Sequence, residues 1–219
     1  AIVNRLALAQ EALAHGTGSL GLEEVQADID RRLAGGELLA SANGLRLTTP
    51  GAQAMEQAML DIERRGKETL AAAIWEPRQG GLFEATEPGS TRAPTFGVHL
   101  TAGQRRAAEL VLSTRNRIVG VQGLAGTGKT AMLRTVHENL GEDFRAIGLA
   151  PSAAAARELS AAGFEAMTIA GFLARGRALD ELTMVVVDEA GMVSLRDMHA
   201  LLSAVEAAGA RAVLVGDTG

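Results

Sequence analysis

The chain has 219 residues, 47% of them apolar, enough for one sizeable core or two smaller ones. It contains no cysteine, which excludes a disulfide framework and thiolate metal sites, and no apolar run is long enough to span a membrane. Its formal charge of −5 excludes a polybasic, whole-surface nucleic-acid binder but is compatible with a local groove around a single strand. The absence of cysteine fits the cytoplasm. The opening AIVNRL has no initiator Met and no signal-peptide pattern, and the chain stops at VLVGDTG; both ends read as the edges of a piece of a longer protein.

In chain order, helical spacing runs over 4–15 through Leu6, Leu8 and Leu13, and over 21–34 through Val25, Ile29 and Leu33. Gly35-Gly36 ends the second helix. Two short apolar clusters flank Ser41-Ala42-Asn43-Gly44, where Asn43-Gly44 signals a hairpin with a tight primed turn. Thr49-Pro50 supplies an N-cap and first turn for a helix to about Arg65. This order is that of a small, helical, winged-helix-like subdomain, placed over residues 1–75. Such modules often bind duplex DNA, yet Glu23, Glu24, Asp28 and Asp30 on the second helix favour a structural or protein-contact role. Residues 76–99, with three prolines and four glycines, read as a linker.

The remaining residues, 100–219, read as one α/β domain. Thr101 and Gln104 have the spacing of a capping box for a helix through about Ser113. A Gln one helix upstream of a phosphate loop also has a functional reading, since its amide can meet both the donor and the acceptor edge of adenine. The phosphate loop itself lies in RIVGVQGLAGTGKTAMLRT, where Gly123, Gly128, Lys129 and Thr130 fit G-x-x-x-x-G-K-[ST] around Leu124, Ala125, Gly126 and Thr127. The glycines let successive backbone N–H groups converge on phosphate oxygens, and Lys129 adds a mobile positive charge. The Thr130 hydroxyl suits Mg²⁺, and the following helix aims its positive end at the anion.

Phe144–Ala150 reads as a strand, followed by Pro151-Ser152 and an alanine-rich helix to about Ala162. The segment 182–192 opens with an apolar run of the kind that forms a strand covered on both faces, and the end of that strand carries Asp188-Glu189. In phosphate-loop enzymes the first of these acids holds Mg²⁺ through its water shell and the second polarises the attacking water. On a strand, neighbouring residues face opposite ways, which separates the two roles. A helix over about Leu195–Ala208 and a strand over Ala212–Val215 lead to Gly216-Asp217. The alternation implies a RecA-like parallel sheet with helices on both faces, and Gly123, Pro151, Asp188 and Asp217 then share the carboxyl edge where such sheets bind ligands.

LTAGQ, GLAGTGKT, LAPSAAAARELSAAG, TIAGFL, VVVDEAGMV and VLVGDTG occur in this order, and LRLTTPGAQAMEQAML precedes them. The set resembles the first RecA-like domain of RecD-like superfamily 1 helicases, and more closely the helicase part of conjugative relaxase-helicases of the TraI/TrwC (MobF) type. The resemblance implies a DNA helicase segment that uses ATP and Mg²⁺, with Lys129, Asp188 and Glu189 catalytic and Pro151, Ser152 and Thr168 along the path of single-stranded DNA. Here Ala153 and Ala154 replace the polar or basic residues common after that Pro-Ser, leaving backbone N–H contact to phosphate. Implied partners are a second RecA-like domain and a relaxase domain of the same polypeptide, and type IV secretion machinery. His15, His99, His137 and His199 form no metal spacing. The alternatives are a RecD-like repair helicase and a non-motor interaction or secretion-recognition module that keeps its ATP site.

Overall fold

The computed structural model describes residues 2–16, 18–70, 100–123, 128–141 and 143–217. The linker expected over 76–99 and the loop residues Leu124, Ala125, Gly126 and Thr127 lie outside them. Two compact units are present, Ala1–Ala58 and Met59–Gly219. The division falls inside a helix, because Met59 and Ile62 pack into the core of the second unit.

The first unit opens with β1 (Val3–Asn4), a strand too short to leave a sequence pattern, and continues into α1 (Arg5–His15) and α2 (Leu22–Ala34). Asn4 caps α1 by accepting the N–H of Leu6, and Glu24 reaches back to accept the N–H of Gly21 at the start of α2. β2 (Leu39–Ala40) and β3 (Arg46–Thr48) form the expected hairpin, and β1 joins it in an antiparallel sheet ordered β1-β3-β2. Ala9, Val25, Ile29 and Leu47 form the core, with Leu8, Ala12, Leu13 and Leu33 packed around them. Leu6, expected on the apolar face, is instead 66% exposed, one turn ahead of the packed residues.

The hairpin turn also differs from expectation. Ser41 and Arg46 close it, the N–H of Gly44 donates to the Ser41 carbonyl at 2.8 Å, and only Gly44 has positive φ, at 68°. A primed two-residue turn needs Asn43 in that region too. The Asn43 side chain instead accepts from the Ser41 hydroxyl and the Leu45 N–H, which holds a four-residue loop. The helix α3 (Pro50–Arg65) follows, and Thr49 caps it through the N–H of Ala52.

The second unit has α4 (Ala102–Ser113), β4 (Ile118–Gln122), α5 (Lys129–Glu138), β5 (Arg145–Ala150), α6 (Ala153–Ala161), β6 (Glu165–Thr168), α7 (Ile169–Arg175), β7 (Thr183–Val187), α8 (Leu195–Ala207) and β8 (Arg211–Gly216). The five strands are all parallel, in the order β4-β8-β7-β5-β6. Alternation along β7 divides the core. Met184 and Val186 meet Ala108, Val111, Leu112, Met132 and Leu133 on one face, and Val185 and Val187 meet Phe172, Leu201 and Val205 on the other. The RecA-like expectation of helices on both faces holds. β6 was not legible as a strand, since Glu165–Thr168 is four residues long and only partly buried.

Candidate nucleotide site

Because every strand of the second unit points the same way, the carboxyl ends of β4, β8 and β7 lie side by side. The N–H of Gly123 donates to the Gly216 carbonyl at 3.2 Å, extending the β4–β8 ladder beyond Gln122 and setting Gly123 level with Asp217. At the far side of the loop, Gly128 has φ 72° and is the N-cap of α5. That left-handed backbone suits a residue without Cβ, and it brings Lys129 into the first turn. The Lys129 Nζ donates to the Gly123 carbonyl at 3.2 Å and pairs with the Asp217 carboxylate. Three sequence-predicted residues, Gly123, Lys129 and Asp217, therefore converge. Thr130 follows, exposed, at the second position of α5.

Asp188 leaves β7 with its N–H on the Leu149 carbonyl at 2.9 Å, which keeps it in the sheet. Its carboxylate accepts the N–H of Glu189 at 2.9 Å. Glu189 has φ 51° and starts the 3-10 helix Ala190–Met192. The two acids are thus separated by a backbone turn and not by the pleat of a strand. A non-glycine residue in this region costs about 1–2 kcal/mol, and such outliers gather at working sites. The short helix abuts β8, since a Cβ on Gly216 would lie 3.6 Å from the N of Gly191. Its Met192 is 75% exposed, a feature no sequence pattern announced.

The capping box on α4 is complete. The Gln104 Oε1 accepts the Thr101 N–H at 2.7 Å, and the Thr101 Oγ1 accepts the Gln104 N–H at 3.3 Å. The same Gln104 amide donates from Nε2 to the Gly128 carbonyl at 3.3 Å. At the other end of the edge, Pro151 follows β5 and Thr168 ends β6, in register with Ala150. Both hydroxyls serve as helix caps: Ser152 accepts the N–H of Ala155 and Thr168 that of Gly171, each at 3.1 Å. Pro151, Ser152 and Thr168 thus stand on the β5–β6 side, across β7 from Lys129. Among the described residues, no group of three His, Cys, Asp or Glu side chains has a metal-holding arrangement.

A phosphate-loop nucleotide-binding domain on a parallel sheet is the class that these features define. Residues 99–219 match the family model described as AAA domain, more than half of the chain, and the chain belongs to that family. Among curated proteins it is similar to the multifunctional conjugation protein TraI of Escherichia coli (strain K12), 31% identical over 236 residues that take in 99% of this chain and 12% of that protein. It is also similar to the conjugal transfer protein TraA of Agrobacterium fabrum (strain C58 / ATCC 33970), 40% identical over 133 residues, 57% of this chain and 12% of that protein. A probable conjugal transfer protein TraA of Sinorhizobium fredii (strain NBRC 101917 / NGR234) is 34% identical over 190 residues, 83% of this chain and 16% of that protein. The chain therefore spans between 12% and 16% of the length of these relatives. The resemblance to the conjugative TraI type read from the motifs is borne out.

Proposed function

We propose that this chain is the first motor segment of an ATP-dependent DNA helicase that moves along single-stranded DNA during conjugative transfer. The observation that carries the reading is the meeting of Gly123, Lys129 and Asp217 at one sheet edge, with Asp188 and Glu189 just past the end of the next strand, β7. Lys129 and the amides of the loop 123–130 bind the phosphates in this proposal, and Gln104 reads adenine. Asp188 and the Thr130 hydroxyl fit Mg²⁺, being hard oxygen donors of the kind that leave most of its coordination to phosphate and water. The bound ion supplies charge neutralisation on the phosphate oxygens. Glu189 takes a proton from the water that attacks the γ-phosphorus, while the bond to the β–γ bridging oxygen breaks and ADP leaves.

The proposed division of labour is an N-terminal winged-helix-like subdomain over 1–75, a linker over 76–99 and the motor domain over 100–219. Pro151, Ser152 and Thr168 line the single-strand path in this proposal. A second RecA-like domain supplies the opposite wall of the nucleotide cleft and an upstream relaxase domain the DNA-nicking chemistry, with type IV secretion machinery as a further partner. The protein acts in the cytoplasm in this proposal; among the described residues no helix is long and apolar enough to cross a membrane.

The test is Glu189→Gln in the full-length polypeptide. ATP binding should persist, while DNA-stimulated hydrolysis falls by about two to four orders of magnitude, the range for a general base. Equal loss of binding and hydrolysis would assign Glu189 a structural role instead.

A further inference from the structure

The ammonium that the proposed site aims at phosphate is paired with a carboxylate of its own chain. The Lys129 Nζ donates to the Gly123 carbonyl at 3.2 Å and forms an ion pair with Asp217. The backbone prepares this pair from both sides. Lys129 stands in the first turn of α5, directly after the left-handed Gly128, and its long flexible stem reaches back to the β4–β8 edge. Asp217 follows Gly216, the last residue of β8, which is pinned in place. The Gly216 carbonyl takes the Gly123 N–H at 3.2 Å, and a Cβ on Gly216 would lie 3.6 Å from the N of Gly191. The two partners differ in exposure: the Lys129 side chain is 19% exposed and that of Asp217 54%. The carboxylate is therefore the partner that water can take up once the amine turns away.

From this geometry we propose that Asp217 is a latch on Lys129 that an arriving triphosphate opens, so that Asp217 lowers nucleotide affinity instead of adding to it. The inference rests on the nucleotide-site reading above. An ammonium neutralised by a carboxylate offers a phosphate no net charge, and a carboxylate at the same place repels it. Binding therefore exchanges one anion for another on the same nitrogen. The Asp217 carboxylate passes to water, and a phosphate oxygen accepts the Lys129 N–H in its place. The exchange runs toward phosphate because a triphosphate carries several negative charges and Asp217 carries one. The work of separating the pair is subtracted from the affinity.

Lys67 and Lys129 are the two lysines of the chain, so carbon-13 labelling of lysine gives two ε-CH₂ signals, one of which reports on the latch. The 219-residue chain is titrated with Mg-tripolyphosphate, which carries the charge of a nucleotide and no base. Asp217→Asn and Asp217→Ala should each tighten binding roughly two- to fivefold, the worth of a partly exposed ion pair. Both should also move the Lys129 signal before any polyphosphate is added. Weaker binding would make Asp217 a contributor to the site, and unchanged binding would show that the pair holds nothing back; either result overturns the proposal. Tighter binding with the Lys129 signal unmoved would reduce Asp217 to a simple repulsive charge and overturns it as well. Asp217 is exposed at the end of β8, and matching amide spectra establish that the variants keep the parent fold. Lys129→Ala tests the underlying site separately. Unchanged polyphosphate binding there removes the nucleotide-site reading itself, whereas a loss there with no gain in the Asp217 variants fails the latch alone.

Discussion

At Glu189 the chain accepts a backbone that L-residues seldom adopt, at the point where the proposed water-activating carboxylate is placed. The left-handed turn takes that carboxylate out of the strand, and Asp188 secures the turn by accepting the Glu189 N–H. Strain of this kind persists only where the surroundings dictate it. Glu189→Gly should consequently be more stable than Glu189→Ala by about 1 kcal/mol, since glycine enters this region without the Cβ penalty. Urea denaturation of the two variants measures the difference. Equal midpoints would mean that the turn relaxes once the carboxylate is gone. The Lys129–Asp217 pair spans 88 positions of sequence, and the Gln104–Gly128 bond spans 24. Neither was legible beforehand, because a motif fixes local backbone while such pairs depend on how helix and strand ends meet.

The elements of the parallel sheet were legible for the opposite reason. Thr183–Val187 is buried at every position, and a continuous apolar run has few other places to go. β6 is short and half-exposed, and β1 has two residues, so neither stands out from loop by composition. Packing against β7 makes α8 an energetic anchor: Leu201 is fully buried among Val185, Val187 and Val205. Leu201→Ala should lower unfolding free energy by about 2–5 kcal/mol, the transfer loss plus a residual cavity. A drop below 1 kcal/mol would show that the neighbouring helix collapses into the space.

A second link on this face joins α3 to α8. The Arg65 guanidinium donates two bonds of 2.9 Å to the Glu206 carboxylate and holds that group below its ordinary value of 4.5. A carboxyl whose folded value is depressed stabilises the fold above its unfolded value and loses that contribution as pH falls through the folded one. Arg65 is exposed and Glu206 partly so, and solvent screening keeps the effect small. Arg65→Ala should flatten the acid-side decline in stability just below pH 4.5. Superimposable pH profiles for variant and parent would contradict the link.

On the scale of the whole molecule, the proposed motor would draw from this chain one wall of its nucleotide cleft and one side of its single-strand path. Its net charge of −5 gives no long-range attraction to DNA. The proposed second RecA-like domain would supply the arginine finger, worth about three to five orders of magnitude in phosphoryl transfer. The 219-residue chain alone is therefore expected to show negligible DNA-stimulated hydrolysis and weak, steeply salt-dependent binding of oligonucleotides. Robust stimulation of this chain by DNA would show that one wall suffices. The most direct measurement is steady-state ATP hydrolysis by the full-length polypeptide, with and without single-stranded DNA, in parent and Lys129→Ala forms. The parent should be stimulated by DNA and the variant reduced by on the order of 10²–10³-fold, the loss expected when one charge aimed at the transferring group is removed. Equal rates in the two would contradict a motor built on this site.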